Sequence, residues 1–360
     1  MRLSNFDHID IIGGNISGLV AGIELTKKKI PYTIYEKGIW DKPCGGAFGQ
    51  DFYKYLKENQ ISIDVNLVTN SVFASKYVKI EEIPYKFYIT KRKHLQEELF
   101  KKIPENNLKI EKVDKKNIDK MSNFIFVATG ISGLSKSLLK KDFPYLGRYQ
   151  YYLLNGKDYA AWDQKTSLFY WIPEIRGYAW VFPTINGLVD IGIGGFDNAN
   201  QKKYYREFLH WLNKNYDLKN PNKIINKTLI SWGIPMWSRK VPKKIIYYER
   251  KLKQLRIGIG DAVDLPQIVS AGGIENAINS SQLLVDTITS IKPNSLDIDI
   301  KQYINGLYYK IPLRSNIIPV RLAEKIVYSN LLLHPSILLG KLLNKLITRF
   351  TDNFADLLKG

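Results

Sequence analysis

Hydrophobic spacing divides the chain into alternating strand and helix periods, beginning at residues 10–12, a short apolar run of buried-strand type. Gly13, Gly14 and Gly18 then make a tight turn, and residues 19–29 carry apolar side chains at helical spacing. Pro31 stops that helix, and residues 32–35 read as a second strand with Glu36 at its carboxyl end. Residues 52–58 are amphipathic, 72–74, 77–80 and 87–89 read as short strands between polar turns, and 92–102 as a helix. Residues 109–113 and 124–127 return to strand period, the second run ending in the small residues Ala128-Thr129-Gly130. From 147 to 245 the chain is strand-rich and aromatic, with a helix at 201–213 and a strand at 225–234. Residues 255–262 pass from strand to small residues, a helix opens at Gly273 and runs to 288, and 301–359 is helical.

The first strand, turn and helix have dinucleotide-binding geometry. A helix N-terminus aims free N–H groups and its positive dipole end at a pyrophosphate. Glu36, about twenty residues on, accepts from both ribose hydroxyls of an adenosine and repels a 2′-phosphate. Asn15 stands where the middle glycine of Gly-x-Gly-x-x-Gly belongs. Asparagine is the next most tolerant residue for a left-handed backbone, which predicts a surviving turn with the Asn15 side chain swung away from the phosphates. A glycine-rich turn in another kind of α/β protein is the competing reading.

Other stretches carry weaker signals. Gly45, Gly46 and Gly49 let the backbone run flat against a planar ligand. Between them and Glu36 lies Cys44, the single thiol, which reads as a small buried hydrophobe or a nucleophile without a histidine. At period two, Tyr178, Trp180 and Phe182 share one strand face, either a core wall or the lining of an apolar tunnel. Asp261, at a strand end, suits a ribityl hydroxyl, and the N–H groups of Gly273 and Ile274 suit a flavin carbonyl. Leu338, Leu342 and Leu346 oppose Lys341, Lys345 and Arg349 on one helix, which packs on the parent domain or lies on an anionic bilayer.

Composition narrows the class. With 360 residues, 45% hydrophobic and 24% charged, the chain is globular and large enough for two co-folded domains. One cysteine forbids an internal disulfide, and no uncharged apolar run reaches the length of a spanning helix. Only residues 1–8 precede the first strand, so the expected location is cytoplasmic; the amphipathic C-terminal helix adds peripheral contact at the inner membrane face as an alternative to packing on the parent domain. The excess of 53 Lys+Arg over 34 Asp+Glu, net +19, favours a polyanionic partner (nucleic acid, an anionic membrane face or an acidic electron donor), a solvated basic surface being the competing reading. No nucleic-acid-binding signature accompanies the charge, so nucleic acid is not expected as a partner.

Together these motifs resemble the geranylgeranyl reductase family of FAD-dependent oxidoreductases, which share a p-hydroxybenzoate-hydroxylase-like fold. The resemblance rests on 13–18 with Glu36, Lys42-Pro43-Cys44-Gly45-Gly46, Arg92-x-x-Leu95-Gln96, Gly260-Asp261-Ala262, Gly272-Gly273-Ile274, and Pro173 followed by Tyr178-x-Trp180-x-Phe182-Pro183. It implies an α/β (α+β) architecture. A Rossmann-like FAD-binding domain would comprise 1–60, 85–135 and 250–290, an antiparallel-sheet substrate domain 61–84 and 136–249, and a helical segment 291–360. It implies FAD held by Gly13, Gly14, Ser17, Gly18 and Glu36 at the ADP half. Cys44, Gly45, Ala47, Arg92, Ala128, Asp261, Gly273 and Ile274 would surround the flavin, and Tyr178, Trp180, Phe182 and Pro183 a polyprenyl chain.

In such enzymes reduced flavin gives hydride from N5 to one carbon of an isolated C=C bond, and the other carbon takes a proton. No residue declares itself as proton donor; Cys44 is the candidate. No second nucleotide motif appears, so NADPH at a transient surface site or reduced ferredoxin is the expected electron source. Departures are Asn15 for glycine and Ile16-Ser17 for the usual Pro-Ala. Two other readings stand beside it: an aromatic hydroxylase of the same fold, against which Thr129-Gly130 replaces the frequent Asp-Gly, and a non-catalytic flavin or prenyl-lipid carrier.

Overall fold

The computed structural model describes residues 8–38, 42, 44–77, 79–140, 146–154, 162–196, 200–219, 221, 230–235, 245–263, 272–290 and 329. In chain order the elements are β1 (Ile9–Ile12), α1 (Ile16–Lys27), β2 (Tyr32–Glu36), β3 (Ala47–Phe48), α2 (Gln50–Glu58), β4 (Asn66–Ala74) and β5 (Lys79–Ile89). Next come α3 (Arg92–Phe100), β6 (Leu108–Ile110), α4 (Lys115–Ile118), β7 (Phe124–Val127), α5 (Gly133–Leu139), β8 (Leu146–Leu154), β9 (Thr166–Ile172) and β10 (Gly177–Pro183). Then follow β11 (Val189–Gly195), α6 (Gln201–Tyr216), β12 (Ile230–Pro235), β13 (Ile246–Glu249), β14 (Gln254–Gly258) and α7 (Ile274–Ser290).

One sheet runs β13-β14-β7-β1-β2-β6 and is parallel except for the β13–β14 pair. The chain winds from β1 to β2 and β6, then returns to β7 on the other side of β1. That reversal opens a crevice at the carboxyl ends of β1 and β7, where open α/β sheets take ligands. Helix α1 is buried from Ile16 to Leu25 because its apolar residues go all round; it packs against β2 on one side and α7 on the other. Its one carboxylate, Glu24, is paired as burial demands, with Lys27 at 2.7 Å and the Tyr55 hydroxyl at 3.0 Å.

The second sheet runs β12-β8-β11-β10-β9-β4-β5-β3. It departs from a purely antiparallel sheet at one pair, β4–β9, which is parallel. Between those strands the chain passes through the first sheet, so no hairpin forces them antiparallel. The three short strands expected over 72–89 are two long ones, with register shifts at Val68/Asn70 and Ser71/Phe73 that absorb their irregular alternation. Pro84 is tolerated inside β5 because β3 covers only Tyr88 and Ile89, leaving an edge at the proline. The expected boundary between 84 and 85 falls within this strand, and β3 belongs to the same sheet.

Strand β10 is buried along its whole length. Tyr178, Trp180 and Phe182 join the core that includes the first sheet, whereas Ala179 and Val181 join a second core with Tyr205 and Phe208 of α6. One end shifts by a few residues, the strand expected at 109–113 being Leu108–Ile110; of the strand expected at 225–234, β12 gives the part from Ile230, and 225–229 lie outside the described residues. The expected C-terminal helix, with its leucine and lysine faces, lies outside the described residues, as do Trp40 and Pro43. Among the described residues no helix is long and apolar enough to cross a membrane.

Candidate functional site

The crevice between β1 and β7 is lined by backbone. Gly13 has φ +107°, a conformation that excludes a side chain, and a Cβ there would stand 2.7 Å from the Ala128 carbonyl. Its N–H donates to Tyr35 O at 2.8 Å, which ties the turn to β2. A Cβ on Gly18 would strike Gly13 O, so helix and turn are in contact. Glu36, only 6% exposed, accepts from Gly14 N at 2.6 Å and Gly38 N at 3.2 Å. The carboxylate is thereby fixed at the end of β2. Gln96 donates to Gly14 O at 2.6 Å and accepts from buried Arg92 Nη1 at 3.2 Å, so Arg92 reaches the turn through Gln96.

Asn15 corrects one expectation. Its backbone is extended (φ −83°, ψ −173°) rather than left-handed, because it is the N-cap of α1. Its side chain is turned onto the helix end: Oδ1 accepts from Ser17 N at 3.0 Å, Ser17 Oγ at 2.7 Å and Gly18 N at 3.3 Å, and Nδ2 donates to Ala128 O.

The glycine loop meets the aromatic strand. Gly46 has φ +68°, Thr90 N donates to its carbonyl at 3.1 Å, and Ala47 pairs with Ile89. A Cβ on Gly45 would lie 3.0 Å from Phe182 Cδ2 and 3.6 Å from Trp180 Nε1, so the bare backbone rests on these rings. Tyr178 completes the row, 5.8 Å from Trp180 and 5.1 Å from Trp171 between ring centroids. Pro183 does not share that row. Strand alternation puts it with Ala179 and Val181 on the opposite face, and its carbonyl is taken by Asn66 Nδ2 at 2.8 Å.

Cys44 Sγ accepts from Gly46 N at 3.4 Å. Desolvation pushes its thiol up, against the pull of Arg92 and Lys42, and the Asp190 charge pushes it up further. Asp190 is a residue that sequence reading missed. It sits on the aromatic face of β11, buried, and accepts from Trp180 Nε1 at 2.7 Å. Its signal was a lone carboxylate inside the otherwise apolar run 189–195.

Asp261 lies in the turn Gly260–Val263, where Gly260 N donates to Ser280 Oγ at 3.1 Å, and it pairs with Lys42 Nζ at 2.8 Å. Gly273 begins the first turn of α7, its carbonyl accepting from Ala277 N at 2.9 Å, and Ile274 is buried. The next residue, Glu275, was also missed. It accepts from Gly49 N at 2.6 Å, joining the loop's far end to α7. Desolvation carries its carboxyl up to about 7; the Gly49 bond lowers it and Asp51 raises it. Among the described residues no cluster of His, Cys, Asp and Glu could hold a metal ion.

A crevice of bare backbone, a buried carboxylate at the end of β2 and a second sheet facing the glycine loop fit a flavin dinucleotide. The fold is that of FAD-dependent oxidoreductases. A geranylgeranyl bacteriochlorophyll reductase-like protein from Thermoplasma acidophilum superposes with TM-score 0.60 at 17% identity, over 89% of this chain and 87% of that one. The 2,6-dihydroxypyridine-3-hydroxylase of Arthrobacter nicotinovorans gives 0.64 at 13% identity, over 90% and 93%. An HpxO variant of Klebsiella pneumoniae, complexed with FAD, gives 0.63 at 13% identity, over 98% of each chain. No protein-family model and no curated protein sequence matches the chain.

Proposed function

We propose that the chain is an FAD-dependent oxidoreductase that saturates isolated C=C bonds of a polyprenyl chain. The observation that carries this reading is the contact of Gly45 with Trp180 and Phe182. The loop that would lie beside the flavin is backed by an aromatic wall, which suits a long apolar substrate better than a small polar one. Bound FAD supplies the hydride. Gly13, Gly14, Ser17, Gly18 and Glu36 hold its ADP half, and Arg92, Ala128, Asp261, Gly273 and Ile274 its flavin half. Cys44, Gly45 and Ala47 lie along the ring.

Tyr178, Trp180 and Phe182 orient the chain and keep water out. Cys44, whose thiol is held up, keeps its proton at neutral pH and is the candidate to protonate the second carbon. The net charge of +19 suits reduced ferredoxin or an anionic membrane surface, NADPH being the other electron source.

A second reading, an aromatic hydroxylase, is favoured by the hydroxylase among the structural neighbours and by Asp190, a buried carboxylate on the aromatic face able to accept from a phenol. One pair of assays separates the two. Anaerobic incubation of dithionite-reduced protein with geranylgeranyl lipids should add one hydrogen pair per reduced bond by mass spectrometry, dependent on FAD. An unchanged lipid, together with oxygen-dependent NAD(P)H oxidation triggered by a phenol, would replace the reductase reading with the hydroxylase.

A further inference from the structure

We propose that Asn15 is a resident occupant of the pyrophosphate end of α1, and that FAD binds only when its carboxamide turns out of the donors it holds. The inference rests on the FAD reading above. The first turn of α1 offers Ser17 N, Ser17 Oγ and Gly18 N, and all three already donate to Asn15 Oδ1, at 3.0, 2.7 and 3.3 Å. Ser17 is 2% exposed, so its hydroxyl has little access to water in place of the amide. The other end of the carboxamide is held as well, by the Ala128 carbonyl at the end of β7. One side chain therefore spans the crevice from α1 to β7.

A glycine in this position leaves the three donors open for a phosphate oxygen. Asparagine fills them with a neutral oxygen of its own, which satisfies the helix end in the absence of any ligand. A phosphate oxygen is charged and makes the stronger bonds, so it can displace the amide. Its net gain is smaller by what Asn15 gives up. The chain thus keeps a finished fold with the cofactor absent, at the cost of a looser and more readily exchanged FAD.

The test measures FAD affinity by titration calorimetry and flavin fluorescence, with cofactor-free thermal melts, for the wild type, Asn15→Gly and Asn15→Ala. Both variants should bind FAD about tenfold tighter. Their cofactor-free melting temperatures should be unchanged or lower, because the cap is gone. A purely structural Asn15 would move stability and affinity down together. Affinity in both variants equal to or weaker than wild type overturns the inference. Absence of FAD binding by all three proteins overturns the FAD reading, and this inference with it.

Discussion

Trp180 and Asp190 are joined across two strands: the indole Nε1 donates to the carboxylate at 2.7 Å. In register Asp190 opposes Phe182, so the bond runs diagonally between neighbouring pairs. The Asp190 charge also acts on Cys44, pushing its thiol up, and the indole Nε1 that Asp190 holds lies 3.6 Å from where a Cβ on Gly45 would stand. This is a local polar arrangement on a face otherwise built of aromatic rings.

Trp180→Phe withdraws a hydrogen bond from a buried carboxylate, and a loss of about 2 kcal/mol in denaturant melts is expected. In an Asp190→Leu background, where no charge is left to satisfy, the same substitution should cost less than about 1 kcal/mol. Equal costs in both backgrounds would show that the indole is needed only for its volume.

Gly46 and Gly187 have nearly the same backbone, φ +68° and +69°, but different surroundings. A Cβ on Gly46 runs into the Thr90 carbonyl, whereas Gly187 has nothing within 4 Å. Gly46→Ala should therefore destabilise by about 3 kcal/mol or more and Gly187→Ala by about 1 kcal/mol. Chemical denaturation of the two variants checks the difference, which isolates the collision from the shared conformational strain.

The buried carboxyl of Glu275 titrates near 7 in the folded chain, above its ordinary 4.5, so between those values the native state binds more protons than the unfolded one. Stability from this group is present at low pH and falls as pH rises toward about 7, by at most about 3 kcal/mol. Asp51 and the Gly49 N–H face the carboxyl from α2 and its entry, and Tyr85 lies within its electrostatic reach. In Glu275→Gln the melting temperature should lose this decline between pH 5 and 8. An equally steep decline in the variant would assign it to other groups.

Asp261 and Lys42 are both partly exposed, so their 2.8 Å pair contributes little to stability, under about 1 kcal/mol. Asp261→Ala should melt within about 2 °C of wild type, yet retain FAD at least tenfold less on gel filtration if this carboxylate meets the ribityl chain. A variant that keeps its flavin would remove Asp261 from the cofactor's partners.

Local chemistry explains what was legible in the chain. Gly13, Pro31 and Glu36 act within a single strand-turn-helix unit, and their spacing alone predicts the parallel pair β1–β2. Period two likewise predicts the shared face of Tyr178, Trp180 and Phe182, and the same count separates Pro183 from them. The extent of β4 and β5 was not legible, because bulges and a distant parallel partner set their length. Asn15 was misread by treating it as a substitute glycine, when its side chain makes it a cap. Asp190 and Glu275 gain their meaning from partners ten and 226 residues away, a relation that no local pattern carries.

Strand β10 faces both cores, Trp180 and Phe182 toward one, Ala179 and Val181 toward the other. A side chain on this strand cannot retreat without pushing into packed atoms behind it. The wall is stationary, and its neighbour in front is the glycine loop, with a single thiol and no large side chain from 44 to 47. On the proposed reading, a substrate that reaches the aromatic face has to displace the bare backbone of residues 44–47 and not the rings, so size selection would rest with the glycine loop.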